Sequence, residues 1–226
     1  MSGYEYSISN VTGFSHLHAW TMGGLMLMPS TGDLAIEDGA VDRPYRGAGA
    51  GYHSRVLKET EEAAPGYYAV HLYDPDVYAE MTATTRCGFL RFTFPEADEA
   101  RILVDLAFPS EYRFRVRDAV IRKIGPTELE GYARSHTHEW DEYTLHVVIR
   151  FSRPFDALGG WVGDDLQRDV EAVAGGGDVG GFVTFPTGQG DQILVQTGLS
   201  LVDLEGARRN LEAELGPFGW DFEAVR

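Results

Sequence analysis

His16 and His18 stand two residues apart and Trp20 follows at the same interval, in the run Gly13-Phe14-Ser15-His16-Leu17-His18-Ala19-Trp20-Thr21-Met22-Gly23-Gly24. On extended backbone that spacing sends all three side chains to one face. Two imidazoles and an indole side by side suit a sugar, since the indole offers a plate to the C–H face and the ring nitrogens serve the hydroxyls. The same pattern also fits a histidine-containing core strand held by backbone hydrogen bonds. A third reading is the His-x-His that opens a cupin-type metal site, but Met22 and Gly23 stand where the cupin glutamate belongs.

A second His-x-His, His136 and His138, does have Glu142 at the cupin offset, although the flanking glycines and later histidine of that pattern are missing. Its plainer reading is a polar loop or edge strand ahead of Trp140. Asp74, Asp76 and Glu80 cluster carboxylates as calcium would require. Asp74-Pro75-Asp76 is also a common turn, and the turn is the preferred reading. Glu80 and Arg86 are expected to pair as opposite charges on neighbouring strand positions. Gly66 reads as a positive-φ turn residue. Glu139, Asp141 and Glu142 read as a solvated acidic face.

Short alternating segments position these groups. Residues 4–12, 25–28, 67–73, 77–84, 89–94 and 101–108 read as strands, as do 114–124, 129–134, 143–151, 181–185 and 192–199. Gly, Pro or Asp separates many of them, and 43–51 and 175–177 read as loops. One helix stands out near 203–215: Asp203 can cap it, Leu204, Ala207, Leu211 and Leu215 share a face, and Gly216-Pro217 ends it. Residues 164–173 are a candidate for a second, short helix. The expected fold is all-β, a large antiparallel two-sheet sandwich (supersandwich-like) with one prominent helix, in a single domain over residues 1–226.

Composition narrows the partners. The chain is 43% hydrophobic and 12% aromatic, and carries a formal net charge of −16. Such a surface repels phosphate backbones and anionic lipid, so neither nucleic acid nor membrane is an expected partner. A neutral glycan does not feel that charge. Cys87 stands alone, so no internal disulfide can form. Met1–Tyr6 shows neither a basic stretch nor an apolar one, so no export is expected of the chain as written, and its compartment stays unassigned.

Several blocks in one order also resemble the N-terminal domain of glycoside hydrolase family 92, the calcium-dependent exo-α-mannosidases. Gly13-Phe14-Ser15-His16-x-His18 is similar to that family's Gly-Phe-Ser-His-Thr-His signature. Pro65-Gly66-Tyr67-Tyr68, then Ala79-Glu80-Met81-Thr82-Ala83-Thr84-x-Arg86-x-Gly88, then Arg91-Phe92-Thr93-Phe94-Pro95 and Ile102-Leu103-Val104-Asp105-Leu106 follow in family order. Glu205-Gly206-Ala207-Arg208 and Gly219-Trp220-Asp221-Phe222 resemble the segment that closes the domain. The chain departs from the family after His18: Ala19-Trp20-Thr21-Met22-Gly23 replaces small residues, and the indole takes space that a glycan arm would otherwise use.

The resemblance implies that Ser15, His16, His18 and Trp20 bind a mannose-containing glycan. It also implies that the catalytic acid, the catalytic base and most calcium ligands lie in a following all-helical domain that would start beyond Arg226. Inverting hydrolysis of terminal α-mannosides is then expected of the full enzyme. No catalytic residue and no bound Ca²⁺ are expected in this chain alone, and self-association is expected through the face that would meet the catalytic domain. A free-standing carbohydrate-binding module and a cupin-like metal enzyme remain the alternatives.

Overall fold

The computed structural model describes residues 10–19, 22–36, 51–107, 114–136 and 142–226, with only the backbone at 18, 19 and 22. In chain order the strands are β1 (Asn10–Val11), β2 (Phe14–Ala19), β3 (Met22–Ser30), β4 (Ser54–Ala64), β5 (Tyr67–Leu72), β6 (Val77–Ala83), β7 (Cys87–Phe94) and β8 (Ala97–Asp105). There follow β9 (Arg115–Gly125), β10 (Glu128–His136), β11 (Glu142–Phe151), β12 (Leu158–Val162), β13 (Asp165–Gln167), β14 (Ala172–Gly175), β15 (Val179–Thr187) and β16 (Asp191–Ser200). Helices α1 (Leu204–Glu214) and α2 (Phe222–Val225) close the chain, with a 3₁₀ turn at Gly216–Phe218 between them.

Among the described residues these strands form two antiparallel sheets. One has ten strands in the order β1-β4-β5-β6-β7-β16-β11-β10-β9-β14, and the other six in the order β13-β12-β15-β8-β3-β2. The period-two pattern divides each strand between two environments. Along β7, Leu90, Phe92 and Phe94 face the core between the sheets, while Cys87 and Phe89 face outward under the helices. The core is aromatic-rich, with Phe151, Phe155 and Phe185 meeting edge-on or tilted at 5.7–6.5 Å. In β3, Leu25 to Met28 are all buried, so this strand reads as a continuous apolar run rather than an alternation.

The outer face of the large sheet carries a second core. Asp203 caps α1 by accepting from the Gly206 N–H at 2.5 Å, and Ala207, Leu211 and Leu215 then pack with Cys87, Phe89 and Val148. Burial, with Glu214 nearby, pushes the Cys87 thiol up to about 12, so it remains an inert thiol. Arg208 reaches across to Glu128 and Glu130, and Arg150 joins Glu128 to Glu212. Close approach of α1 depends on Gly198 in β16, where a Cβ would lie 2.5 Å from the Ala207 carbonyl oxygen. Gly198→Ala should therefore lift the helix and cost about 1–3 kcal/mol, read as a lowered urea midpoint; an unchanged midpoint would show that α1 is not tightly docked.

Three expectations need correction. Residues 164–173 form no helix: β13 pairs with β12, and Ala172 and Val173 open β14 against β9. Their apolar residues serve sheet edges instead. Glu80 does not pair with Arg86. The β6–β7 register sets Glu80 opposite Arg91, while Arg86, in the connecting turn, bonds Glu214 of α1 at 2.6 Å. Gly175 and Gly176 are packing glycines, since a Cβ would meet Val162 at the first and the Arg117 carbonyl oxygen at the second, each at 2.6 Å. Segment 4–9 and most of 43–51 lie outside the described residues.

Candidate functional site

β2 is an edge strand of the small sheet, paired only with β3 among the described residues. Its alternation gives Phe14 and His16 one face and Ser15 the other. That first face points into the sandwich: Phe14 stacks on Phe92 of β7 with ring centroids 6.2 Å apart. His16 lies against Gly88 of β7 and Thr197 of β16, so close that a Cβ on Gly88 would come 2.7 Å from its Nε2. Ser15 is exposed, and its hydroxyl donates to the Leu17 carbonyl at 3.3 Å. The His18 side chain and the whole of Trp20 lie outside the described residues.

His16 therefore differs from its sequence expectation in one respect. Both of its ring nitrogens are buried and make no hydrogen bond, so this imidazole offers no nitrogen to solvent. The Thr197 hydroxyl accepts from the Gly88 N–H at 3.1 Å. Burial brings His16 down to about 4, opposed by the backbone of Leu25 and Phe14, which approach the ring without completing hydrogen-bond geometry. The imidazole is thus neutral at ordinary pH. Ser15 pairs with Met26 and Leu17 with Gly24, but the position between them, His16 facing Leu25, breaks the ladder. Leu25 sits there at φ 51°, a left-handed conformation that costs a buried leucine of order 1–3 kcal/mol.

Tyr143 of β11 meets this hairpin from the opposite sheet. Its hydroxyl accepts from the Gly23 N–H at 2.6 Å and donates to the Gly23 carbonyl at 2.7 Å. Sequence reasoning passed over this tyrosine, because nothing local marks a partner 120 positions away.

Residues 1–200 match the glycosyl hydrolase family 92 N-terminal domain. The chain belongs to this family. Its whole length is similar to solved family structures. The GH92 α-mannosidase BT3965 from Bacteroides thetaiotaomicron superposes with a TM-score of 0.84 at 28% identity, over 99% of this chain and 30% of that protein. The GH92 glycosyl hydrolase ccman5 superposes with a TM-score of 0.78 at 27% identity, over 99% and 30% of the two chains. An uncharacterized secreted glycosidase of Arthroderma benhamiae is 25% identical over 99% of this chain and 31% of its own length. The chain thus spans about a third of the length of these relatives.

Among the described residues, the carboxylate candidates of this family 92 domain have partners within the fold. Asp74 accepts from the Arg55 backbone and guanidinium, and Asp76 lies 2.9 Å from His71 Nε2 at the turn, where Gly66 also shows its positive φ in the preceding hairpin. Glu80 is held by Arg91 and Tyr67, so the trio does not fit a calcium ion. No group of three or more His, Cys, Asp or Glu among the described residues could hold a metal. His136 registers opposite Glu142, whereas His138, Glu139 and Asp141 lie outside the described residues. The family match replaces the cupin-like reading.

Burial works to raise Asp74, Glu80, Glu128 and Glu214, yet each is held below the usual carboxylate range. Arg55 does this for Asp74, Arg91 and Tyr67 for Glu80, Arg150 and Arg208 for Glu128, and Thr84 and Arg86 for Glu214. A general acid needs the opposite shift, a carboxyl that keeps its proton near neutral pH.

Proposed function

We propose that this family 92 domain forms one wall of the sugar cleft in an α-mannosidase-like glycoside hydrolase, whose acid, base and calcium ligands lie in a following catalytic domain. The observation that carries this reading is the superposition of essentially the whole chain on a third of an α-mannosidase. The state of the described carboxylates supports it: those with perturbed acidity are held low by arginines and hydroxyl or amide donors, and among the described residues none of them is raised as a proton donor would be. Inverting hydrolysis of a terminal α-mannoside needs two carboxyl groups about 6.5–9.5 Å apart with water between them. Calcium, when bound in such an enzyme, would supply positive charge at the sugar.

Within the wall, the β2–β3 hairpin is the sugar-facing element. Ser15 is at its surface, and His18 and Trp20 carry the contacts that the motif suggests. His16, with both ring nitrogens buried near Gly88, bonds no sugar hydroxyl. The purified 226-residue chain should show no turnover of an aryl α-mannoside, while the enzyme in which it is joined to its catalytic domain should show turnover with inverted anomeric product by NMR. In that enzyme Trp20→Ala should weaken substrate use by about 1–3 kcal/mol, typical of one lost site contact. Turnover by the chain alone, with contaminating enzyme excluded, would place the acid and base in this domain and overturn the reading. A chain that binds mannosides fully by itself would point to a free-standing binding module.

A further inference from the structure

β8 accompanies β3 only as far as Asp105, which pairs with Met26. Gly23, three residues nearer the hairpin end, has passed beyond β8, and its N–H and C=O need a partner that the described ladder does not supply on that side. The backbone between is irregular: Gly24 has φ 137° and Leu25 φ 51°, so regular strand pairing does not fix the hairpin end by itself. The Tyr143 hydroxyl completes both groups of Gly23 at once, at 2.6 and 2.7 Å. Contact with β11 continues one residue on, where a Cβ on Gly24 would lie 3.0 Å from Leu145 Cδ2. Gly23 in turn registers with His18 on β2, so fixing one fixes the other.

We propose that Tyr143 is a positioning residue for substrate: one hydroxyl from the large sheet takes the place of the pairing that β8 no longer gives among the described residues and sets the height and register of the hairpin against the sugar. This rests on the reading of the hairpin as the sugar-facing element. Burial pushes the Tyr143 hydroxyl up from its ordinary value, more than the Gly23 backbone lowers it, so the group keeps its proton and both bonds through neutral pH. Backbone carbonyl and amide are held together, so the clamp opposes both lifting and sliding.

Tyr143→Phe removes the hydroxyl and keeps the ring. In the 226-residue chain the Gly23 amide should exchange with solvent at least about tenfold faster, with the amides of the β7–β16 ladder unchanged. In the enzyme joined to its catalytic domain, KM for an α-mannoside should rise about five- to tenfold with kcat within about twofold, because a loosened wall costs ground-state and transition-state binding alike. His18→Ala, assayed beside it, tests the underlying reading. Unchanged Gly23 exchange overturns the clamp. Faster exchange with unchanged KM overturns the positioning role, and if His18→Ala still raises KM the sugar-facing reading stands without it. If neither variant moves KM, that reading fails and the inference falls with it. A fall in kcat that tracks a lowered melting temperature marks Tyr143 as merely structural and also overturns the proposal.

Discussion

Arg91→Met should destabilise this domain by about 3–5 kcal/mol, the cost expected when one partner of a buried ion pair is removed. Glu80 is only 6% exposed and directly opposite Arg91 in the β6–β7 register. The guanidinium grips it with two bonds of 2.6 Å, reaches Glu223 of α2 at 2.8 Å and lies over the Phe222 ring at 4.3 Å. Tyr67 gives Glu80 its remaining bond at 2.9 Å, and Arg226 covers the Tyr67 ring. Without Arg91 the carboxylate keeps one hydroxyl bond and only the through-space charge of Arg226. The deficit should show a pH signature. Glu80 would then titrate above its unfolded value, the native state would bind the extra proton, and the loss relative to wild type should shrink as the pH is lowered. Urea unfolding at neutral and mildly acidic pH reads both effects. Glu80→Gln combined with Arg91→Met should recover most of the loss, and a double variant no better than the single would show that packing on Phe222, not the charge, was responsible.

The largest pH effect should come from His16. Its folded value of about 4 lies below its ordinary 6.5, so the unfolded chain binds a proton that the folded chain refuses. Stability is therefore complete above pH 6.5 and is lost as the pH falls toward 4. The linkage relation caps the loss at about 2 kcal/mol at pH 5 and about 3 kcal/mol at pH 4. His146, lowered chiefly by burial, adds to the same direction, whereas Glu80, Glu128 and Glu214, held low by their arginines and hydroxyl partners, contribute only in the more acidic range. His16→Leu isolates the effect because it removes two unbonded buried nitrogens and keeps apolar volume beside Gly88 and Thr197. The variant should equal or exceed wild type at pH 7 and flatten the decline between pH 6.5 and 4.5. Parallel curves for the two proteins would mean that the His16 ring reaches water or a proton acceptor, and the buried assignment would fail.

Much of the architecture is local information. Alternating β-branched and aromatic residues mark most strands to within a few positions, and Asp203 with its leucine stripe marks α1, because side-chain period and capping depend on neighbours in sequence. Strand β4 carries no clear local signal: Ser54–Ala64 has three glutamates and little apolar alternation in its second half, and pairing with β5 makes it a strand. Leu158–Val162, with two glycines, was missed for a related reason: close approach demands glycine there, and a Cβ on Gly159 would strike the Phe182 ring. The site divides in the same way. The ordered blocks carry the family resemblance, and the i, i+2 spacing carries the expectation of one shared face for His16, His18 and Trp20. Which way that face points was not in it, since an alternating strand has two faces and only the opposing sheet, through Phe92, Gly88 and Thr197, turns His16 inward. The partners Glu80–Arg91, Arg86–Glu214 and Tyr143–Gly23 likewise exist only after register and sheet packing bring distant segments together. Short-range spacing sets periodicity, whereas hydrogen-bond and charge partners are set by which strands lie side by side, and only the tertiary structure decides that.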